Sequence, residues 1–150
     1  MFSVLNLCFP NGRRKVVYRV TMGGAFVIYV CVVIFVTLGM RELWTVHDLK
    51  LHPFWSYETV IRTGNPEMLI ENIANIALFF PLGVFIRDRW ENRSRWQYCI
   101  LTAFCCSFTI ECLQLIFGLG TFEVDDMMHN TLGAVLGYLS ARKIQQLAAQ

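Results

Sequence analysis

The chain has 150 residues, of which 55% are hydrophobic and only 16% charged, with a formal net charge of +2. A soluble domain carries roughly 25% charged residues to cover its surface, so this composition excludes an ordinary soluble domain and, by the same apolar content, a disordered chain. Ten glycines and four prolines without a period exclude a fibrous repeat, and a charge of +2 is too weak for a nucleic-acid binder.

What remains is an all-α polytopic membrane protein, one domain over residues 1–150, whose first partner is the lipid bilayer. A helical span needs about 20 mostly apolar residues. Four stretches qualify: about residues 16–40, 68–86, 96–117 and 126–141. The first is preceded by Arg13, Arg14 and Lys15 and carries Arg19 near its start. A basic group before an apolar run also begins a signal peptide, but that apolar segment has roughly 7–15 residues and an A-x-A-like site after it. This run is longer and lacks the site, so it reads as a retained helix. Residues 1–11 are short and mixed and are expected to lie along the inner surface.

The loop 41–67 follows, with Trp44, Phe54, Trp55 and Tyr57 among charges and two prolines. Aromatics so close to a bilayer belong at the headgroup level. The functional alternative is a lid, or a half-buried re-entrant segment over a site below it. The second span contains Pro81 and Gly83, which mark a kink or break. The fourth span is short and must borrow length from its flanks. Its Gly133 and Gly137 form G-x-x-x-G, a close-packing signature, and the helix expected to approach them is the third span.

Orientation comes from the placement of Lys and Arg. Arg13, Arg14, Lys15 and Arg19 precede span one, Arg87, Arg89, Arg93 and Arg95 surround the link between spans two and three, and Arg142 and Lys143 follow span four. Ten of the thirteen cations thus fall on one side, which leaves Arg41, Lys50 and Arg62 on the other. The positive-inside bias then predicts four transmembrane helices in an antiparallel bundle with both termini cytoplasmic. Of the six cysteines, Cys8 is on the inner side and Cys31, Cys99, Cys105, Cys106 and Cys112 lie within spans, so no disulfide framework is expected.

Ionisable residues inside a span are costly, and each is a candidate functional group. Glu71, Asn72 and Asn75 form one stripe at the start of span two, and Ser107, Glu111 and Gln114 form one face of span three. Asp125 and Asp126 open span four, followed by His129 and Asn130. At about 1.5 Å per residue, Asn75 lies about 10 Å in, Glu111 about 9 Å and Asn130 about 6 Å. Three helices thus place carboxylates and amides in the outer third of the bilayer. The amides suit interhelical hydrogen bonding, worth roughly 0.6 kcal/mol each. The carboxylates suit it badly, because no span supplies a buried Lys or Arg for Glu111. Such a group is expected to be protonated or to face a wet cavity.

Asn72, Asn75, Glu111, Gln114, Asp125, Asp126 and Asn130 are therefore the candidate lining of a polar pocket. Glu111, Asp125, Asp126 and His129 are a possible cation set by residue type, but they lack a diagnostic spacing, and no metal or cofactor is expected. Ser107 and His129 are expected at unlike depths, and no nucleophile motif surrounds Ser107, which argues against a catalytic triad.

The same residues resemble the VanZ-like family. Asn72-x-x-Asn75 followed by Phe80-Pro81-Leu82-Gly83 looks like its second-helix motif, and Ser107-x-x-x-Glu111-x-x-Gln114 resembles its third helix. Phe122-Glu123-Val124-Asp125-Asp126-x-x-x-Asn130-Thr131-Leu132-Gly133-x-x-x-Gly137-Tyr138 is similar to its closing motif. The chain departs from the family pattern at two places. It has Gly118-Leu119-Gly120-Thr121 where a basic residue is common, and His129 where an aliphatic residue is usual.

The resemblance implies a cell-envelope protein of the kind found beside vancomycin-resistance genes and associated with lowered sensitivity to teicoplanin. On that reading the pocket receives an amphiphile, either a lipoglycopeptide or a lipid-linked cell-wall precursor. Two other classes stay open: a membrane enzyme acting on a lipid headgroup through Glu111 and Asp126, and a non-catalytic scaffold bundle.

Overall fold

A computed structural model describes residues 11–40, 48–89 and 96–148. Cys8, Arg41, Trp44, Arg93 and Arg95, like all of residues 1–10, lie outside the described residues, as do the side chains of Arg13, Arg14 and Lys15. Helix α1 (Asn11–Ile34) closes with a π-helical turn, Phe35–Gly39. The strand β1 (Leu49–Lys50) and the short helix α2 (Trp55–Thr63) come next, then α3 (Glu67–Arg89), α4 (Trp96–Phe117), β2 (Phe122–Glu123) and α5 (Val124–Leu147).

Among the described residues, three helical stretches are long and apolar enough to cross a membrane: Val16–Gly39, Glu67–Arg89 and Trp96–Phe117. Helix α5 has 24 residues, yet it is not one of them. Asp125, Asp126, His129 and Asn130 occupy its first two turns, and Arg142, Lys143, Gln145 and Gln146 its last two. Only its middle is apolar.

Helices α3 and α5 lie side by side and point the same way. Gly133 faces the backbone of Ile76 and Gly137 that of Phe80. A Cβ added to Gly133 would stand 2.1 Å from the Ile76 carbonyl oxygen, one on Gly137 1.9 Å from that of Phe80, and one on Gly83 1.8 Å from that of Ala134. Missing side chains thus let two backbones touch, as expected of small residues in apolar helices. The approaching helix is the second apolar span rather than the third, which corrects the expectation above. The third span keeps its distance because Ser107 and Asn130 interpose side chains between α4 and α5.

Pro81 does not break the second span, since α3 is continuous through it. Proline removes the donor that would serve the Ala77 carbonyl, but α5 packs on Ile76 and Phe80 before it and on Gly83 after it, which holds the turns on both sides. The apolar core forms around this seam from Phe79, Leu82, Ile86, Cys99, Ala103, Ala134 and Tyr138.

Helix α1 lies against the outside of this group. Tyr29 donates to the Leu78 carbonyl at 3.0 Å, Tyr18 pairs with Asp88, and Phe26 meets Phe85 edge-on with centroids 5.2 Å apart. Most of its remaining surface is exposed and apolar.

The helices do not end at one level. Glu123, at the start of α5, bonds to Glu111, which lies six residues before α4 ends. At about 1.5 Å per residue, α4 therefore rises about 9 Å past the start of α5. Thr37 meets Gln114, so α1 rises with α4. Glu67 and Val124 each stand nine residues before the contact of Ile76 with Gly133, so α3 begins level with α5. The result is a step at one end of the molecule.

Residues 48–63 and 118–123 fill that step. Helix α4 stops at Phe117 because Gly118 takes φ +64, a left-handed conformation open to glycine, which lets Leu119 N–H bond to the Gln114 carbonyl at 2.8 Å. The chain then turns down into β2, which pairs in parallel with β1, Leu49 opposite Phe122 and Lys50 opposite Glu123. This two-residue ladder is the one departure from an all-helical architecture among the described residues.

Candidate functional site

The step gathers polar side chains from every element around it. Asp125, only 1% exposed, sits in the first turn of α5. Its carboxylate accepts from Phe54 N–H at 2.6 Å, from Ser56 N–H at 3.0 Å and from the Ser56 hydroxyl at 2.6 Å. Phe54 is the only non-glycine residue with positive φ (+68) among those described. A left-handed bulky residue costs about 1–3 kcal/mol and persists only where its surroundings fix it.

Here the reason is geometric. A left-handed residue followed by a helical one turns successive N–H groups to one side and forms an anion-binding concavity. That concavity is also the N-terminus of α2, where the helix dipole favours negative charge. Asp125 thus caps, from another helix, the one helix among the described residues of the loop.

Glu111 repeats the device. It too is 1% exposed, and it accepts from the backbone N–H of Glu123 at 2.9 Å, the residue that caps the N-terminus of α5. For lack of a buried Lys or Arg, the sequence points to a protonated group or a wet cavity for this carboxylate. The structure offers a third arrangement, in which backbone donors at a helix start support a buried carboxylate.

A cation does reach the step. Lys50 Nζ lies 3.1 Å from Glu123 Oε1 and 3.6 Å from the centroid of the Trp55 ring. Thr121 donates to the same carboxylate. The run Gly118-Leu119-Gly120-Thr121 carries no base of its own, and Lys50 brings one from a distant part of the chain through the β1–β2 pairing.

The candidate residues are brought together in part. Asn72, buried on α3, donates to Ser56 Oγ at 3.1 Å, so Asn72 and Asp125 meet through Ser56. Tyr57 Oη lies 2.7 Å from His129 Nε2, a second tie between α2 and α5. Asn130 donates to Ser107 Oγ at 2.8 Å, along the same side of α4 as Glu111. Gln114 is buried but donates to the Thr37 carbonyl at 2.9 Å, toward α1 and away from the rest. Asn75 and Asp126 are half-buried on α3 and α5, and Glu71 is exposed.

The depth arithmetic needs one correction. It puts Ser107 far below the first turns of α5, yet Ser107 bonds to Asn130, the neighbour of His129. Counting from each helix end assumes that the ends are level, and the step breaks that assumption.

Several partners escape sequence reasoning altogether. Ser56 is one small residue in an aromatic loop, Thr37 acts through its backbone, and Phe54 acts through a conformation that its side chain disfavours. Only the general alternative of a re-entrant segment pointed toward them. Among the described residues, no three His, Cys, Asp or Glu side chains converge to hold a metal ion.

The family model described as VanZ/LLP1 covers residues 26–145, most of the chain, and so takes in the glycine seam and the whole of the described step. Comparison with curated proteins and with solved structures gives no match.

Proposed function

The chain belongs to the VanZ/LLP1 family, and on that basis we propose that it is a multi-pass protein of the cell membrane that lowers sensitivity to teicoplanin-type lipoglycopeptides. The polar step is its working end. Asn72, Asn75, Glu111, Asp125, Asp126 and Asn130 line a pocket region in the outer part of the bilayer that takes an amphiphile, either the lipoglycopeptide or a lipid-linked wall precursor, with Gln114 beside it on the α1 side.

The observation that carries this reading is the burial of Glu111 and Asp125 at one end of long apolar helices. Carboxylates in such a setting are costly and mark functional sites by default. Helix α5 is read as the fourth span, and the cations of residues 87–95 and 142–143 favour cytoplasmic termini.

The experiment is expression in a sensitive host, with the inhibitory concentration of teicoplanin measured for the parent, Glu111→Ala and Asp126→Ala at equal membrane levels. Protection by the parent and its loss in both variants is the expected result. Unchanged protection in the variants removes the polar step from the mechanism.

A further inference from the structure

The loop segment at the step is held in an unusual way. Its outward side chains include exposed apolar ones, Leu49, Leu51 and Phe54 all more than half exposed and Ile61 at 86%, interspersed with the exposed polar groups His52, Glu58 and Arg62. Its inward attachments are mostly polar: Phe54 and Ser56 to Asp125, Ser56 to Asn72, Tyr57 to His129 and Lys50 to Glu123. A segment fixed by hydrogen bonds rather than by buried apolar area is the kind that opens locally while the rest of the fold stays closed.

Beneath and beside it, polar valence is left over. Trp55 Nε1, on the segment itself, is buried without a hydrogen-bond partner, and so are Asn130 Oδ1 and Thr131 Oγ1 on the next turn of α5. Native structures leave few such groups, and each calls for an explanation. Asn130 is only 4% exposed, so its free oxygen is not served by bulk solvent.

We infer that residues 48–63 act as a lid that occupies the polar step as an internal substitute for its ligand. The turn presents two backbone N–H groups and one hydroxyl to the Asp125 carboxylate, which defines the chemistry that can replace it. The ligand class is a headgroup rich in adjacent hydrogen-bond donors, such as the vicinal hydroxyls of a sugar, on an apolar anchor that lies along Leu49, Leu51, Phe54 and Ile61. On entry its hydroxyl hydrogens take over Asp125 and reach Asn130 Oδ1, a hydroxyl oxygen accepts from Asn72 Nδ2 in place of Ser56, and the lid turn is released. This rests on the reading that the step receives an amphiphile, and it adds the gate and the headgroup chemistry.

The test is hydrogen–deuterium exchange of the full-length protein in nanodiscs. Discs of phosphatidylcholine, whose headgroup has no donor, are compared with discs that also contain a glucosyl diacylglycerol. The expected result is exchange at residues 54–57 faster by roughly tenfold in the sugar-containing discs, with residues 79–83 of α3 unchanged. Asp125→Asn is expected to speed exchange at residues 54–57 in both kinds of disc and to erase the difference between them. Equal exchange of the parent protein in both discs overturns the lid, with no variant needed. That outcome is distinct from failure of the resistance assay: lipid-dependent opening without protection from teicoplanin keeps the lid and removes the antibiotic from its function.

Discussion

The two ends of the α3–α5 pair are built on opposite principles. Through its middle and toward its C-terminal ends the pair is a dry seam, where Gly83, Gly133 and Gly137 bring backbone against backbone. At the end where both helices begin, they present Asn72, Asp125 and His129, and their ties to the loop are mostly hydrogen bonds. The seam has no tolerance for added volume. The step tolerates rearrangement, because each of its bonds has a counterpart that water or another polar group can supply. One region fixes the fold, and the other is free to change partners without unfolding it.

The contrast is broken most severely at the seam. Gly137→Leu places a branched side chain where a single Cβ already falls 1.9 Å from the Phe80 oxygen. Overpacking of this kind costs about 3 kcal/mol or more, and because the obstacle is backbone no rotamer relieves it. The expected outcome is loss of the monodisperse peak in detergent chromatography and of the cooperative melt. A folded Gly137→Leu protein would mean that α3 and α5 can part, and the seam would lose its special status.

The second effect is smaller and local. Asp125→Ala strands the N–H groups of Phe54 and Ser56 and the Ser56 hydroxyl, at about 1–3 kcal/mol. Proteolysis is expected to cut within residues 48–63 while the helical core keeps its melting temperature to within a few degrees. If the whole protein melts early instead, the step belongs to the fold as much as the seam does.

Gln114→Leu is a third and finer test. It removes the bond to the Thr37 carbonyl, the tie between the ends of α1 and α4. Bonds between membrane helices are worth about 0.6 kcal/mol on average and up to about 1.7 kcal/mol. A loss in that range by reversible unfolding, with residues 48–63 still protected, separates this tie from the lid.

How much of this could be read from the sequence divides along the same line. The seam was legible because its signal is local: Gly133 and Gly137 stand four apart on one helix, and Gly83 follows a proline in an apolar run. Even so, one sequence does not say which helix approaches, since both neighbours are apolar. Glu111 and the Asp125–Asp126 pair are legible as charge in an apolar context, but the sequence points to Asp126 as the partner of Glu111, whereas Asp125 is the fully buried one and Asp126 is half-buried. The hydrogen-bond partners of Asp125 and Glu111 are not legible, because two of the three donors to Asp125 and the one shown here for Glu111 are backbone N–H groups, which every residue carries. The step depends on where α4 ends relative to α5, which is fixed by Gly118 and the bond from Glu123 to Glu111. Counting residues from assumed membrane faces misses such an offset.

The smallest expected effect is the most exacting test of the contrast. Lys50 joins the lid to α5 through Glu123 and lies over the Trp55 ring. The two ion-pair side chains are 29% and 16% exposed. The pair is partly buried, so salt screens it only in part, and a double-mutant cycle between Lys50→Gln and Glu123→Gln is expected to give a coupling of about 0.5 kcal/mol at low salt. Raising the salt concentration should shrink it. Under the lid reading this bond has to be weak, because a strong one would hold β1 against β2 and keep the turn over Asp125 shut. A coupling above about 2 kcal/mol, or one indifferent to salt, would place Lys50 in a desolvated pair of the kind that resists rearrangement. The polar step would then be as fixed as the glycine seam, and the division of the molecule into a rigid and an exchangeable part would fail at its weakest bond.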